Sequence, residues 1–500
     1  MTLSLARAVR FAGRPQAGFT LIELMIAIVI SLIVILALVQ VFANASRNGK
    51  EMAAVNGIIE SGRFATDLIE ADVVHAGFWG GYIPQYDDIN VTAVPTDVPA
   101  GVPNPCQSFA TWNQQYRTDL IGITVQADTV VPAPGGGCVG AFPGLLAGND
   151  VLVVRHLENC TPGVGNCPAL VAGRAYFDKP FCLAQRQAKA PDIVMATVST
   201  LQFANSWSAV NGIFVGATVR TTAGIGGGQT RLITAYDGAT RTATVTPDWT
   251  VLPDPNNIVV ANRTVFSFDY RLGTGAGPML QSSVGAAACV TPAVQRRLVS
   301  HIYYVANFPR VDRPAENIPT LVRSDFDFVG GVLAHQAPVR LIEGIERFRV
   351  EIGIDDTMSR CALANPVNYA VAPTLIDPVT CAVNANATNN TLRTNRGDGS
   401  PDRYKHCNTP GGAGAACTAA ELTNAVAVKL YLLVRSNDQT PGYTDTKTYC
   451  VGETANDGSC PALTNLVAAA NDRYKRHTFT STVRMVNVSG RRETAEQNPP

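Results

Sequence analysis

Glu23 is the lone acid in the stretch AGFTLIELMIAIVISLIVILALVQVFANASRN, residues 17–48, and it sits just inside an almost wholly apolar run. An ionised carboxylate in such surroundings is costly without a cation partner, and residues of this kind are functional candidates by default. Cysteine is the second reactive type. There are 12, every one from Cys106 onward, and no CxxC pair occurs. Four pairs lie close in sequence: Cys160 with Cys167, Cys361 with Cys381, Cys407 with Cys417, and Cys450 with Cys460. This usage predicts disulfides stapling loops in an oxidising compartment such as a periplasm, with reduced buried thiols as the alternative. The spacing of zinc knuckles is absent.

Other chemistry is thin. The six histidines, at 75, 156, 301, 335, 406 and 477, are scattered along the chain, and no HExxH, GxSxG or P-loop occurs. The segments GIGGGQ and GTGAG read as turns. NRGDGSPD, residues 395–402, offers side-chain oxygens on Asn395, Asp398, Ser400 and Asp402 that suit calcium, with Asp398 and Asp402 as the carboxylates. It also contains Arg396-Gly397-Asp398, an integrin-type tripeptide. A structural turn accounts for both features and is the preferred reading, so no metal is assigned. No catalytic residue or cofactor emerges, and the chain reads as a non-enzyme. Its 39 basic and 39 acidic residues balance, which gives no support for direct nucleic-acid binding. Trp79, Trp112, Trp207 and Trp249 fit a core better than an adhesive surface.

The elements that must carry these residues follow from patterning. Arg7, Arg10 and Arg14 precede an uncharged stretch from Leu24 to Ser46. At about 1.5 Å per residue, a helix of that length reaches roughly 35 Å, enough to cross a hydrocarbon core of about 30 Å. The basic flank places the N-terminus in the cytoplasm and the bulk of the chain on the other side. Two cleavage sites compete: one after the run at Ala43-Asn44-Ala45, as in a signal peptide, and one before it between Gly18 and Phe19. Beyond the run, Met52, Val55, Ile59, Ile69 and Val73, with Gly62 and Ala65 as small positions, form an amphipathic stripe. One helix from about residue 20 to about 75 results, ended by AGFWGG; a plain anchor followed by a separate helix suits the same pattern. Further on, residues 150–157, 264–272, 300–308, 348–355, 426–436 and 477–488 read as strands. Residues 210–262, with a turn at Asp237-Gly238, read as an inserted hairpin or small β-module. Residues 361–424 read as inserted, stapled surface loops.

The residues GFTLIE, Gly18 to Glu23, resemble the processing site of type IV pilins and pseudopilins. The resemblance implies that a prepilin peptidase cuts after Gly18 and that the new amine of Phe19 is methylated. It also gives Glu23 a partner in subunit assembly, because the Phe19 amine of a neighbouring subunit can meet this carboxylate in a low-dielectric core. Residues 60–81 resemble PilW-type minor pilins at Gly62, Arg63, Phe64, Ala76, Gly77, Phe78 and Gly80. Further pieces of that likeness include DVLVVR, IYYVAN, IEGIERFRVEIGID, VKLYLLVRS and FTSTVRMVN. The likeness covers the ends of the chain well and the middle poorly.

The expected fold is therefore α+β and type IV pilin-like. It comprises a leader at 1–18, a transmembrane helix at 19–46, an amphipathic continuation at 47–78 and a β-rich, disulfide-stapled head at 79–500 bearing the inserts. The resemblance implies a minor pilin in type IV pilus assembly, in a priming or tip complex, supporting twitching motility, adhesion or DNA uptake. Its expected partners are the prepilin peptidase, other minor pilins, the major pilin, the inner membrane and a surface ligand. The head would lie in the periplasm and later on the pilus or cell surface. A type II secretion pseudopilin and a pilus-mounted adhesin are the alternatives. N-terminal mass spectrometry of membrane-extracted protein should find a chain starting at methylated Phe19. A start at Met1, or after Ala45, would exclude the pilin reading.

Overall fold

The computed structural model describes residues 18, 20–88, 90–128, 142–274, 292–310, 312–313, 315–358, 365–377, 380–384, 392–407, 416–452, 460 and 465–493. The chain divides into two units, residues 1–56 and 57–500. Helix α1, Leu21–His75, begins in the first and ends in the second. From Leu21 to Asn56 no proline interrupts the chain and Ala, Leu and Met favour helix, and the apolar side chains from Leu21 to Phe42 are exposed. An 18-residue window there has a mean hydropathy of 3.1, and by length and composition the helix can cross a membrane.

In the second unit the strands follow in order as β1 (Val125–Asp128), β2 (Val151–Leu157), β3 (Ala175–Asp178), β4 (Ile193–Ala196), β5 (Thr200–Phe203), β6 (Ala217–Ala223), β7 (Thr230–Asp237) and β8 (Thr242–Thr246). They continue as β9 (Val265–Thr274), β10 (Arg296–Pro309), β11 (Asn317–Val329), β12 (Val332–His335), β13 (Val339–Glu343) and β14 (Ile345–Ile354). The last group comprises β15 (Thr357–Met358), β16 (Asn365–Pro366), β17 (Leu375–Ile376), β18 (Leu392–Arg393), β19 (Arg403–His406), β20 (Ala425–Arg435), β21 (Tyr449–Cys450), β22 (Leu466–Val467) and β23 (Arg476–Arg484). The described residues of the head also form short helices α2 (Gln114–Gly122), α3 (Leu183–Arg186), α4 (Ala419–Thr423) and α5 (Val486–Arg492).

One antiparallel sheet of 13 strands runs β1-β2-β10-β3-β9-β6-β7-β8-β5-β4, with β11 on β10 and with β12 and β13 on β11. A second, four-stranded sheet runs β19-β14-β20-β23. The principal core joins both sheets to the helix. Ile58, Ala65, Ile69 and Val73 of α1 meet Leu152 and Val154 of β2, Tyr303 and Val305 of β10, and Phe348, Val350, Val428 and Val483 of the smaller sheet. Strand β2 is buried on both faces, because Val151 and Val153 point into a separate cluster with Ile302 and Tyr304. That double burial is why DVLVVRHL reads as a continuous apolar run rather than an alternating one.

The stretch 210–262 supplies β6, β7 and β8 to the large sheet. Its hairpin turns after Asp237, whose carboxylate accepts the Ala239 N–H at 2.9 Å. The core beneath it extends past both ends of the stretch, from Ala188 to Phe268, and packs Leu201, Phe203, Phe214, Ile233, Trp249 and Phe266. Trp79, Trp112 and Trp249 are buried, and Trp207 stacks on Phe203 with ring centroids 4.6 Å apart.

Two local expectations need correction. The buried stripe of α1 is Ile58, Gly62, Ala65, Ile69, Asp72 and Val73, whereas Met52, Val55 and Ile59 are exposed. Gly62 sets this face: a Cβ there would lie 2.2 Å from the Phe479 ring of β23. Close approach of helix and sheet at this point therefore selects the residue on the stripe. The final strand stops at Arg484, not at residue 488. The Met485 N–H bonds Val426 O at 2.9 Å, and the chain then coils into α5, whose Asn487 side chain donates to the carbonyls of Val74 and His75 where α1 ends. Gly77, at φ 75° and with its N–H on Arg155 O, carries the chain out of α1.

Gly62→Ala should destabilise the head by about 1–3 kcal/mol through overpacking. In a Phe479→Ala background most of that cost should vanish. Denaturant titration of the four proteins of this double-mutant cycle measures it, and equal costs in both backgrounds would exclude the contact as the cause.

Candidate functional site

At the start of α1, Thr20 and Glu23 form a reciprocal cap. Glu23 Oε2 accepts the Thr20 N–H at 3.0 Å and its hydroxyl at 2.9 Å, and the Glu23 N–H reaches Thr20 Oγ1 at 3.3 Å. This is the T-x-x-E capping box, carried by the residues TLIE. Glu23 thus satisfies donors of its own helix that would otherwise be orphaned in an apolar setting. Phe19, like the leader before Gly18, lies outside the described residues.

The residues that sequence reasoning missed gather at the other end of the helix. Asp72 faces inward on the buried stripe. Its Oδ1 lies 2.8 Å from Nε2 of His156 on β2, and its Oδ2 lies 2.8 Å from Nδ1 of His301 on β10. The Tyr303 hydroxyl donates to Oδ2 at 3.1 Å. His156 Nδ1 lies 2.9 Å from the Leu157 carbonyl, and His301 Nε2 stands 3.5 Å from Asp325. The His75 ring is 5.7 Å from that of His156. The histidines are scattered in sequence, but the strand register brings these together: β2 and β10 pair antiparallel with Val154 opposite His301 and His156 opposite Val299. Burial pushes the Asp72 carboxyl up, but hydrogen bonds from His156 and His301, together with their charge, hold it well below the ordinary carboxylate range. His335 sits beyond, bonded to Ser300, and burial with the nearby charge of Arg155 pushes it down to about 3.

The 395–402 segment is built around another buried acid. The N–H groups of Asp398 and Gly399 donate to Asp355 at 3.0 and 2.8 Å, and Arg492 of α5 donates at 3.2 Å. Arg396 is buried and donates to Asp87 O, so the Arg-Gly-Asp sequence is not displayed. Asp398 accepts from Ser400 N–H, Asp402 from Thr357 N–H, and Asn395 donates to Val371 O. Neither Asp398 nor Asp402 is in a group that could hold a metal among the described residues; Asp72 with His156 and His301 is such a group.

Disulfides join Cys160 to Cys167, Cys407 to Cys417, and Cys450 to Cys460, with Cα separations of 5.9, 5.0 and 5.5 Å. Cys381 is disulfide-bonded, and Cys361 lies outside the described residues.

A long apolar helix preceded by Gly18 and carrying Glu23 in its first turn, followed by an antiparallel, disulfide-stapled head, is the arrangement expected of a type IV pilin-like chain. Residues 13–39 match the prokaryotic N-terminal methylation motif. Residues 302–487 match type IV pilus-assembly protein W, PilW, and span β11 to β23 with most of β10. Together the two matches support involvement in type IV pilus assembly, association with other pilus components and prepilin processing. The motif and the apolar helix also support membrane anchoring. Both matching families are structural rather than enzymatic. No curated protein matches the chain, and no solved structure does.

One further acid responds to pH. Asp97 lines a small cavity with Tyr82, Thr230, Asp269 and Tyr270. Its Oδ2 accepts from Gln85 N–H and the Tyr82 hydroxyl, while Oδ1 has no partner. Burial pushes its carboxyl up to about 7. A raised acid contributes stability that is complete below its unfolded value near 4 and is lost as pH rises through about 7. Asp97→Asn should therefore stabilise the head at pH 8 relative to the parent, on the order of 2 kcal/mol, and leave it nearly unchanged at pH 4. Part of the slope should persist, because burial lifts Asp355 to about 6. Denaturation midpoints across this range test the assignment, and parallel curves for the two proteins would refute it.

Proposed function

We propose that the chain is a minor pilin that helps initiate type IV pilus assembly, within a priming or tip complex. The observation that carries this reading is a 55-residue helix whose apolar first half is exposed and whose head contains the PilW match. A prepilin peptidase removes residues 1–18, and Phe19 becomes the methylated N-terminus. Residues 19–46 hold the chain in the inner membrane in a single pass, residues 47–78 continue the helix, and the head from 79 lies in the periplasm, in keeping with its disulfides.

Assembly then proceeds by lateral bundling of apolar helices with other minor pilins and the major pilin. Glu23 meets the Phe19 amine of a neighbour, and pairing in a medium of low dielectric fixes register more than it adds stability. The capping box leaves this role open, because a carboxylate accepts several donors. Phe64, on the head-facing half of the helix yet 55% exposed, supplies a further contact. A bulky head disfavours long stacked arrays, which suits a low-copy position at a fibre end. Twitching motility, adhesion or DNA uptake would follow from the pilus so primed. The PilW match disfavours the pseudopilin alternative.

A pilus-mounted adhesin is the second reading, favoured by Ile258 and Val260, which are 92% and 72% exposed on the large-sheet region. Deleting 210–262 cannot test it, because β6 to β8 lie inside the sheet. Ile258→Ser with Val260→Ser can: lost surface binding with normal piliation favours the adhesin, and unchanged binding removes it.

Glu23→Gln should lower incorporation into sheared fibres roughly 10-fold or more while leaving membrane levels and cleavage intact. Quantitative immunoblotting of fibres and membranes measures both. Incorporation equal to that of the parent would sink the pairing mechanism.

A further inference from the structure

The cluster of Asp72, His156 and His301 has a geometric requirement that its protein atoms meet only in part. His156 turns Nδ1 toward the Leu157 carbonyl, 2.9 Å away, and Nε2 toward Asp72, 2.8 Å away. A neutral imidazole owns one N–H. Once Nδ1 donates to the carbonyl, Nε2 presents a lone pair to a carboxylate. Two lone pairs at that separation repel unless a cation stands between them. His301 repeats the pattern, with Nδ1 facing Asp72 and Nε2 facing Asp325. The cation at each position is either a proton or one metal ion shared by both rings.

We propose that Asp72, His156 and His301 bind a divalent transition-metal ion, with zinc the species best matched to two imidazoles and one carboxylate. The three donor atoms lie within 4.8 Å of one another. Around tetrahedral zinc, ligands at ~2.0–2.1 Å from the ion stand ~3.3–3.4 Å apart, so small side-chain adjustments admit the ion. The outer contacts match those of a metal site. A histidine that ligates through one nitrogen donates its other N–H to a carbonyl or carboxylate, which fixes tautomer and ring orientation. Leu157 O does this for His156, and Asp325 stands in the equivalent place for His301. The Tyr303 hydroxyl fixes Asp72 from the side, at 3.1 Å.

The ligands come from α1, β2 and β10, with Asp72 separated by 84 and 229 residues from its two partners. The ion therefore fastens the head-facing half of the helix to strands β2 and β10 of the large sheet. Where both rings are neutral, its two positive charges would compensate the buried Asp72 carboxylate. Three protein ligands leave a fourth position for water, and the His75 ring lies 5.7 Å from that of His156.

The test uses the full chain in detergent, stripped with chelator and dialysed against zinc alone. Elemental analysis should find about one zinc per chain, and the thermal midpoint should rise on zinc addition. His156→Gln and His301→Gln should each weaken binding roughly 100-fold, and Asp325→Asn, which keeps all three ligands, roughly 10-fold. His477→Gln, outside the cluster, should bind as the parent does. Should the ligand variants fail to fold, cobalt(II) added to the parent decides the matter, because a tetrahedral site gives intense visible absorption and an aquo ion does not. No retained zinc with an unmoved midpoint, or retention unaffected by Asp325→Asn and the ligand variants, would overturn the site and leave a proton-bridged triad.

Discussion

The side chains from Leu21 to Phe42 stand exposed on α1, and nearly all are Leu, Ile, Val, Met, Ala or Phe. Each Leu, Ile, Val, Met or Phe among them left in water forfeits about 1.5–3 kcal/mol of burial energy. Over this length the total far exceeds the net stability of an ordinary domain, roughly 5–15 kcal/mol. The first half of the helix therefore has to be covered by a hydrocarbon layer or by helices like itself. The second half obeys a different rule. Past residue 57 only a narrow stripe is apolar, and the head covers it with β2, β10 and the smaller sheet. One helix thus serves two solvents, and the change from an all-round apolar surface to a stripe marks where one gives way to the other.

Each half carries one acid on which its setting makes demands. Glu23 closes the first turn with Thr20, so its charge also completes the helix. Asp72 closes the contact with the sheet, where it links α1 to two strands that lie far away in the chain. A carboxylate in either place is unfavourable without partners. The partners differ because Glu23 stands where the helix begins, with only its own first turn at hand, and Asp72 stands where the helix packs on its own head.

The head spreads the same principle across its loops. Asp355 is wrapped by backbone N–H groups and by Arg492, which is fully buried and also reaches Asp87. Arg476, at the start of β23, engages Glu346, Asp445 and Asp472. These ion pairs tie together segments distant in sequence, and the disulfides close short loops within them. Breaking one partner would leave a buried charge uncompensated, so these clusters specify connections more than they add stability.

Composition and local pattern were enough for the long helix, its glycine-rich end, the principal strands and the processing motif, because each depends on residues near one another in the chain. TLIE carried its capping box in plain view. Ile58 rather than Ile59, and Asp72 on the buried face, were not legible, because both follow from where Phe479 and the strands β2 and β10 meet the helix. The turn of MVNV into α5 depended on Val426 and on the carbonyls at the end of α1. The reach of the second core from Ala188 to Phe268 likewise appears only when β4 to β9 are paired. The histidines stayed scattered until strand register brought 156 and 301 to Asp72. Local spacing fixes which face a residue can occupy; what faces it is decided by contacts across tens to hundreds of residues, and a one-dimensional pattern does not contain them.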